Sequence, residues 1–183
     1  MKIKSIAIAT VLVAAIAAVA LASATATHAG PKPGLLPGKW QGTGVISGSV
    51  TDEVGTTTFK GKLGFRINVA KNLEAHGTGS WVKTMNGTSE FMKSTMTGIG
   101  RMWFGGFAHD IDYMYEEAVE GTIHDAFTNK SRPIKFVRGQ DETLRGRLVI
   151  TKARTCTAAG FIPVSKESGV KMTWTAKRLG CRG

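Results

Sequence analysis

The residue types that could bind a metal ion lie in one stretch of this sequence. His109-Asp110-x-Asp112 is followed by His124-Asp125. Imidazole nitrogens and carboxylate oxygens are ligands of zinc, and carboxylates are ligands of calcium. The two motifs would approach each other if residues 108–115 and 119–127 paired as a hairpin. Because adjacent residues of a strand point to opposite faces, the whole set cannot converge. We expect an acidic face that pairs with basic residues, with no metal and no cofactor.

Catalytic motifs are absent from the sequence. It contains no nucleophile elbow, phosphate-binding loop, metalloprotease motif or CxxC pair. A barrel isomerase or lyase would need a general acid and base in a polar pocket, and Tyr113, Glu117 and His109 are the candidates. Nothing in the sequence places these three together, so we expect a protein that is not an enzyme.

Aromatic side chains are the candidates for a ligand cavity. The interior of an eight-stranded barrel is either filled by side chains or just wide enough for one small ligand. Filling of the core is the alternative role for the same rings. The candidate ligand-binding residues are Phe65, Trp81, Trp103, Tyr113 and Tyr115.

Alternation with a period of two predicts the elements that carry these residues. Over residues 59–69 the odd positions are apolar or glycine, while Lys60, Lys62 and Arg66 occupy even positions. Residues 144–150 and 170–176 alternate in the same way, and 40–50, 73–82, 90–104 and 134–137 are shorter candidates. The pattern predicts an all-β fold, a single antiparallel β-barrel of about eight strands, with a sandwich as the alternative.

The acidic stretch at residues 109–125 fits two structures. As a helix, it would place Asp112, Glu116, Glu120 and His124 at steps of four residues. Tyrosine, isoleucine and valine favour strands, and acidic residues near a helix C-terminus oppose its dipole. We therefore predict a hairpin that turns near residues 116–118.

The N-terminus predicts export. Lys2 and Lys4 precede an uncharged apolar run at residues 6–22, and small residues follow. Cleavage after Ala29 is preferred to cleavage after Ala26, and a membrane anchor is the alternative. We expect a signal peptide at 1–29, a proline-rich lead at 30–37 and a barrel domain at 38–183. The mature protein would be periplasmic or secreted, and not integral to the membrane.

Cys156 and Cys181 are the two cysteines of the chain. An even pair in an exported protein predicts a disulfide. Closing a loop of that length is worth about 3 kcal/mol through the unfolded state.

Charge is distributed unevenly along the chain. The formal net charge is +11, and losing Lys2 and Lys4 leaves +9. Residues 102–129 contain no lysine or arginine but six acidic residues, whereas basic residues dominate from Lys130 onward. Such a balance favours anionic partners, such as envelope polymers, acidic glycans or lipid headgroups. We expect no nucleic-acid partner for an exported protein.

Three short motifs resemble those of lipocalins and related calycins. Gly38-Lys39-Trp40 opens the first predicted strand, Arg178 closes the last, and Asp112-Tyr113 lies between them. The resemblance implies a barrel with a hydrophobic pocket and no catalysis. It also implies structural roles for Trp40 and Arg178, with the guanidinium stacked on the indole.

Three hypotheses of function follow. The first is an exported, non-enzymatic barrel that binds a small hydrophobic ligand or an anionic envelope component. The second is a charged-surface interaction protein that docks an acidic protein or polysaccharide. The third is a barrel isomerase or lyase.

Overall fold

The computed structural model describes residues 33–53, 55–138, 144–163 and 170–181, and the regular structure in these ranges is entirely β. All strand pairings are antiparallel, as predicted. The nine strands are β1 (Gly38–Thr51), β2 (Thr56–Val69), β3 (Glu74–Thr88), β4 (Met92–Phe107), β5 (Asp110–Asp125), β6 (Lys130–Arg138), β7 (Leu144–Ala153), β8 (Thr157–Ile162) and β9 (Lys171–Arg178).

Eight of these strands close into a barrel-like ring. The order of neighbours is β1-β2-β3-β4-β5-β7-β8-β9, and β9 pairs with β1. The ninth strand, β6, lies outside this ring because β5 divides its length between two partners. Residues 111–115 of β5 pair with β7, and residues 117–125 pair with β6. The predicted all-β fold of about eight antiparallel strands is confirmed.

The hairpin predicted within the acidic stretch is wrong, and so is its helical alternative. Residues 110–125 form the single strand β5, paired with β4 along its whole length. No turn-forming residue lies at 116–118, and the alternation of buried and exposed positions continues through Glu117. At the centre of the predicted turn, the Glu117 carboxylate is buried and forms an ion pair.

Alternating side chains point into the ring and form two apolar clusters. The larger one includes Trp40, Phe65, Trp81, Phe104 and Trp174. The smaller one contains Phe59, Met85, Met96 and Val119. The faces opposite these positions carry most of the charged residues, as the period of two predicted.

Aromatic rings of the core rest on glycines of the neighbouring strand. In each case the ring and the glycine are direct partners in the strand register, and a Cβ on the glycine would collide with the ring. Because glycine has no side chain, it leaves space for a large aromatic side chain inside the narrow ring of strands. The four pairs are Phe65 on Gly42, Trp81 on Gly100, Tyr113 on Gly146, and Trp174 on Gly160.

The segment before β1 packs against one end of the ring. Leu35 is buried, and its backbone N–H donates to Ala108 O at 2.9 Å. The Trp40 indole Nε1 donates to Leu36 O at 2.8 Å. Trp40 and Arg178 are direct partners across β1 and β9, and the Arg178 guanidinium lies over Gly38, which has a φ of 138°. The segment before β1 and the end of β9 therefore meet at Trp40.

Cys156 and Cys181 form a disulfide, as predicted, with their Cα atoms 5.5 Å apart. The bond joins the residue before β8 to a residue just after β9. Arg178 N also donates to Cys156 O at 2.9 Å. Among the described residues there is no helical segment that could span a membrane.

Candidate functional site

The five predicted ligand-binding residues lie on two different faces of the ring. Phe65, Trp81, Tyr113 and Tyr115 point into the interior. Trp103 lies on the outer face of β4, where 41% of it is exposed. The structure therefore brings four of the five together and places Trp103 at a separate surface.

The interior rings contact one another. Phe65 lies 5.7 Å from Trp174 between centroids, Trp81 lies 5.2 Å from Tyr115, and Tyr115 lies 6.1 Å from Tyr113. These are the separations of packed aromatic pairs. Burial raises the pKa of the Tyr113 hydroxyl well above its ordinary value, and the charge of Tyr115 adds to the shift. These rings thus pack against one another within the larger apolar cluster.

One carboxylate is buried among these rings. Glu117 is 3% exposed, and its Oε1 accepts a hydrogen bond from Trp81 Nε1 at 3.1 Å. The Lys83 ammonium lies 2.9 Å from Oε1 and 3.0 Å from Oε2. Gly98 on β4 makes room for this group, because a Cβ there would collide with Glu117 Oε1. Trp81, Lys83 and Glu117 form a polar trio.

From the sequence, Glu117 is a candidate acid or base, and no local pattern pairs it with Lys83. The signal in the sequence is the alternation of the strand, because Glu117 occupies an odd position and therefore shares its face of β5 with Tyr113, Tyr115 and Val119. His109, the third catalytic candidate, is exposed at the turn before β5 and stacks on Phe107. The three candidates therefore do not form one site.

The histidines of the possible metal motif are separated by β5 itself. His109 precedes the strand, whereas His124 lies near its end and contacts Ser131 Oγ at 3.1 Å. Asp125 Oδ1 accepts hydrogen bonds from the backbone N–H groups of Thr128 and Phe127, which lower the pKa of that carboxyl. Among the described residues no three His, Cys, Asp or Glu side chains are placed to hold a metal ion.

The acidic outer face of β5 is paired with basic residues of β6 and β7. Arg147 Nε lies 3.0 Å from Asp110 Oδ1 and 3.6 Å from Asp112 Oδ1. Lys135 forms an ion pair with Glu120, which raises the pKa of the lysine. These acidic residues therefore find their counter-charges within the domain.

A different charge balance holds on the outer faces of β9, β1, β2, β3 and β4, which we call the cationic wall. The only acidic residue in these five adjacent strands is Glu74, at the start of β3. Within the described ranges, none of the exposed basic side chains of the wall forms an ion pair. They are Lys39, Lys60, Lys62, Arg66, Lys93, Arg101, Lys171 and Lys177.

An open groove of about 520 Å³ crosses this wall over β1 to β4. Two rows of register partners line it. The first row is Gln41, Arg66, Thr78 and Trp103, and the second is Thr43, Gly64, Ser80 and Arg101. No carboxylate lines the groove, so its charge comes from the two arginines.

Fold and surface together define a disulfide-linked, all-β, barrel-like domain with a segregated cationic face. No protein-family model matches this chain, and comparisons with curated proteins and with solved structures find no match.

Proposed function

We propose that this protein is an exported, non-enzymatic binding protein whose cationic wall docks an anionic polymer of the cell envelope. The observation that carries the proposal is the segregation of charge. Acidic residues of β5 are paired with Arg147 and Lys135, while eight basic side chains of the wall have no internal counter-charge in the described ranges.

The form of the wall supports a polymer as the partner. Its basic residues are spread over five neighbouring strands, which lie about 4.8 Å apart. Charges on neighbouring strands can therefore lie within the screening length, about 8 Å at physiological salt. Their electrostatic potentials then reinforce one another. A chain with repeated negative charges contacts several of them at once, whereas a small anion contacts one or two.

Export is supported by two independent features. The N-terminal sequence has the charged, apolar and small-residue regions of a signal peptide. The disulfide between Cys156 and Cys181 is of a kind that persists in oxidising compartments outside the cytosol. Envelope polymers are the abundant anionic partners that such a protein meets.

The interior is the less supported place for a ligand. The Gly38-Lys39-Trp40 motif and Arg178 would imply an internal pocket through their resemblance to lipocalins and calycins. The packing of four aromatic side chains against cross-strand glycines favours the wall over the interior as the binding place. An acidic protein remains an alternative occupant of the wall and is an outcome of the experiment below.

The test measures binding of the mature protein to polygalacturonate, to polyphosphate and to a neutral glucan. Co-sedimentation at increasing NaCl concentration reports the bound fraction. We expect both polyanions to bind, the glucan not to bind, and affinity to fall steeply with salt. Lys60→Gln with Lys62→Gln should weaken binding about tenfold, since each contact of this kind is worth about 0.5–1 kcal/mol.

The matched control is Lys130→Gln with Arg132→Gln on β6, which removes the same charge outside the wall. Equal losses in both double variants, or binding insensitive to salt, would contradict the proposal. Binding to an acidic protein with no binding to either polyanion would replace it with the alternative occupant.

A further inference from the structure

Trp103 differs from the other tryptophans of the chain in its environment. Trp40, Trp81 and Trp174 are 1%, 6% and 2% exposed, respectively. Trp103 is 41% exposed and stands on the outer face of β4 between two hydrophobic core positions, Met102 and Phe104. Its indole contributes a flat apolar surface to the wall at one side of the groove.

The groove has a bare floor. Gly64 lies in its middle, and a Cβ placed on Gly64 would meet no atom within 4 Å. Neutral polar side chains surround this floor, namely Gln41, Thr43, Thr78 and Ser80. Amide and hydroxyl groups both donate and accept hydrogen bonds, so they match a ligand rich in hydroxyl groups.

The two arginines flank this polar floor. Arg66 on β2 and Arg101 on β4 lie on either side of β3 and in different rows, so their Cα atoms are about 12 Å apart. Glu116 is the register partner of Arg101 on β5, yet the two form no ion pair. A guanidinium offers a planar pair of donors that fits a carboxylate.

Resting on the function proposed above, we infer that this groove is the subsite for an acidic sugar residue of the bound polymer. The sugar ring stacks its apolar face on Trp103, and its hydroxyl groups bond to the neutral side chains. Arg66 and Arg101 bind the carboxylates of the sugar and its neighbour. Uronic-acid polysaccharides have all three features, whereas polyphosphate has the charge without the ring.

The tryptophan itself reports on the site. Because the other three indoles are buried, quenching of the fluorescence by acrylamide acts mainly on Trp103. We expect polygalacturonate to protect the native mature protein from quenching. Polyphosphate should bind the wall while leaving Trp103 open to the quencher.

Gly64→Leu fills the floor of the groove from a Cβ position that meets no atom within 4 Å, and it changes no charge. Gly105→Leu is the matched control, because a Cβ there also meets no atom within 4 Å and Gly105 does not line the groove. We expect Gly64→Leu and Trp103→Ala each to weaken polygalacturonate binding about tenfold or more, as loss of an anchoring aromatic contact does. Polyphosphate affinity should stay unchanged in both, and near-UV circular dichroism checks that each variant is folded.

The outcomes separate this inference from the proposed function. If both polyanions bind but neither variant affects polygalacturonate, the sugar subsite is refuted while the cationic wall stands. An equal loss in Gly105→Leu also refutes the subsite. If neither polyanion binds the parent protein, the proposed function fails and the subsite fails with it.

Discussion

Trp81 and Glu117 are joined inside the ring of strands by a hydrogen bond of 3.1 Å, across 36 residues of sequence. Lys83 binds the same carboxylate, so β3 and β5 are linked over the intervening strand β4. The link lies between the two apolar clusters, with Trp81 in one and Val119 in the other. A buried ion pair is costly unless every member is satisfied, so this trio favours one alignment of the three strands.

The first prediction concerns this carboxylate. Glu117→Gln removes the negative charge and leaves the Lys83 ammonium without its counter-ion. We expect the free energy of unfolding to fall by about 3 kcal/mol, the lower end of the cost of breaking a buried pair, because Lys83 is 14% exposed. Urea unfolding measures it. Glu120→Gln on the same strand breaks the exposed pair with Lys135 and should produce no resolvable change. Similar effects in the two variants would contradict the role of burial.

The second prediction concerns the glycines beneath the rings. Gly100→Ala places a methyl group where the Trp81 indole lies. We expect a loss of about 1–3 kcal/mol in the free energy of unfolding from overpacking. Gly64→Ala, with open space around its Cβ, should instead gain about 0.5 kcal/mol because alanine is less flexible than glycine in the unfolded chain. Thermal and urea unfolding of both variants measure these changes. An unchanged free energy of unfolding in Gly100→Ala would show that the Trp81 indole can adopt another position.

The third prediction concerns alkaline pH. Burial raises the pKa of Tyr113 above that of an unfolded tyrosine, about 10. The associated stability is complete below pH about 10 and is lost as pH rises through the folded-state pKa. The urea midpoint of the parent should therefore fall more than that of Tyr113→Phe between about pH 9 and pH 11. Parallel curves for the two proteins would show that Tyr113 ionises as easily folded as unfolded.

The fourth prediction concerns the disulfide. Cys156→Ser with Cys181→Ser should lower the free energy of unfolding by about 3 kcal/mol, because the cross-link restricts the unfolded chain. Adding a reductant should bring the parent to the stability of the double variant. The double variant itself should not respond to the reductant, which serves as the control.

The strands were predictable because a sheet with one dry face imposes a period of two on the sequence. That period is clear in β2, where apolar residues alternate with lysine and arginine. It is hidden in β4, where Met102, Trp103 and Phe104 form an apolar run and Gly98 and Gly100 leave interior positions without a side chain. An apolar run of this kind does not say which of its residues face inward, so the sequence does not place Trp103 on the outer face.

The interior ion pair was not predictable from local patterns. Lys83 and Glu117 lie on strands that are two apart in the sheet, so only the three-dimensional register brings them together. The same holds for the groove, whose two rows come from four strands. The excess of positive charge was visible in the sequence, but its concentration on one wall depends on β6 and β7 neutralising β5.

The ring of strands has a long side and a short side. The hairpins from β1 to β5 align fourteen to sixteen residue pairs each, whereas β7 aligns four with β8 and β8 aligns six with β9. The covalent bond between Cys156 and Cys181 lies on the short side, at the β8–β9 hairpin. Amide protons of β7 should therefore exchange with solvent before those of β3. In native-state hydrogen exchange, the short side should open first, and opening should then extend to the neighbouring strands. Oxidation of the two cysteines thus slows local opening on the side of the ring that has the shortest ladders.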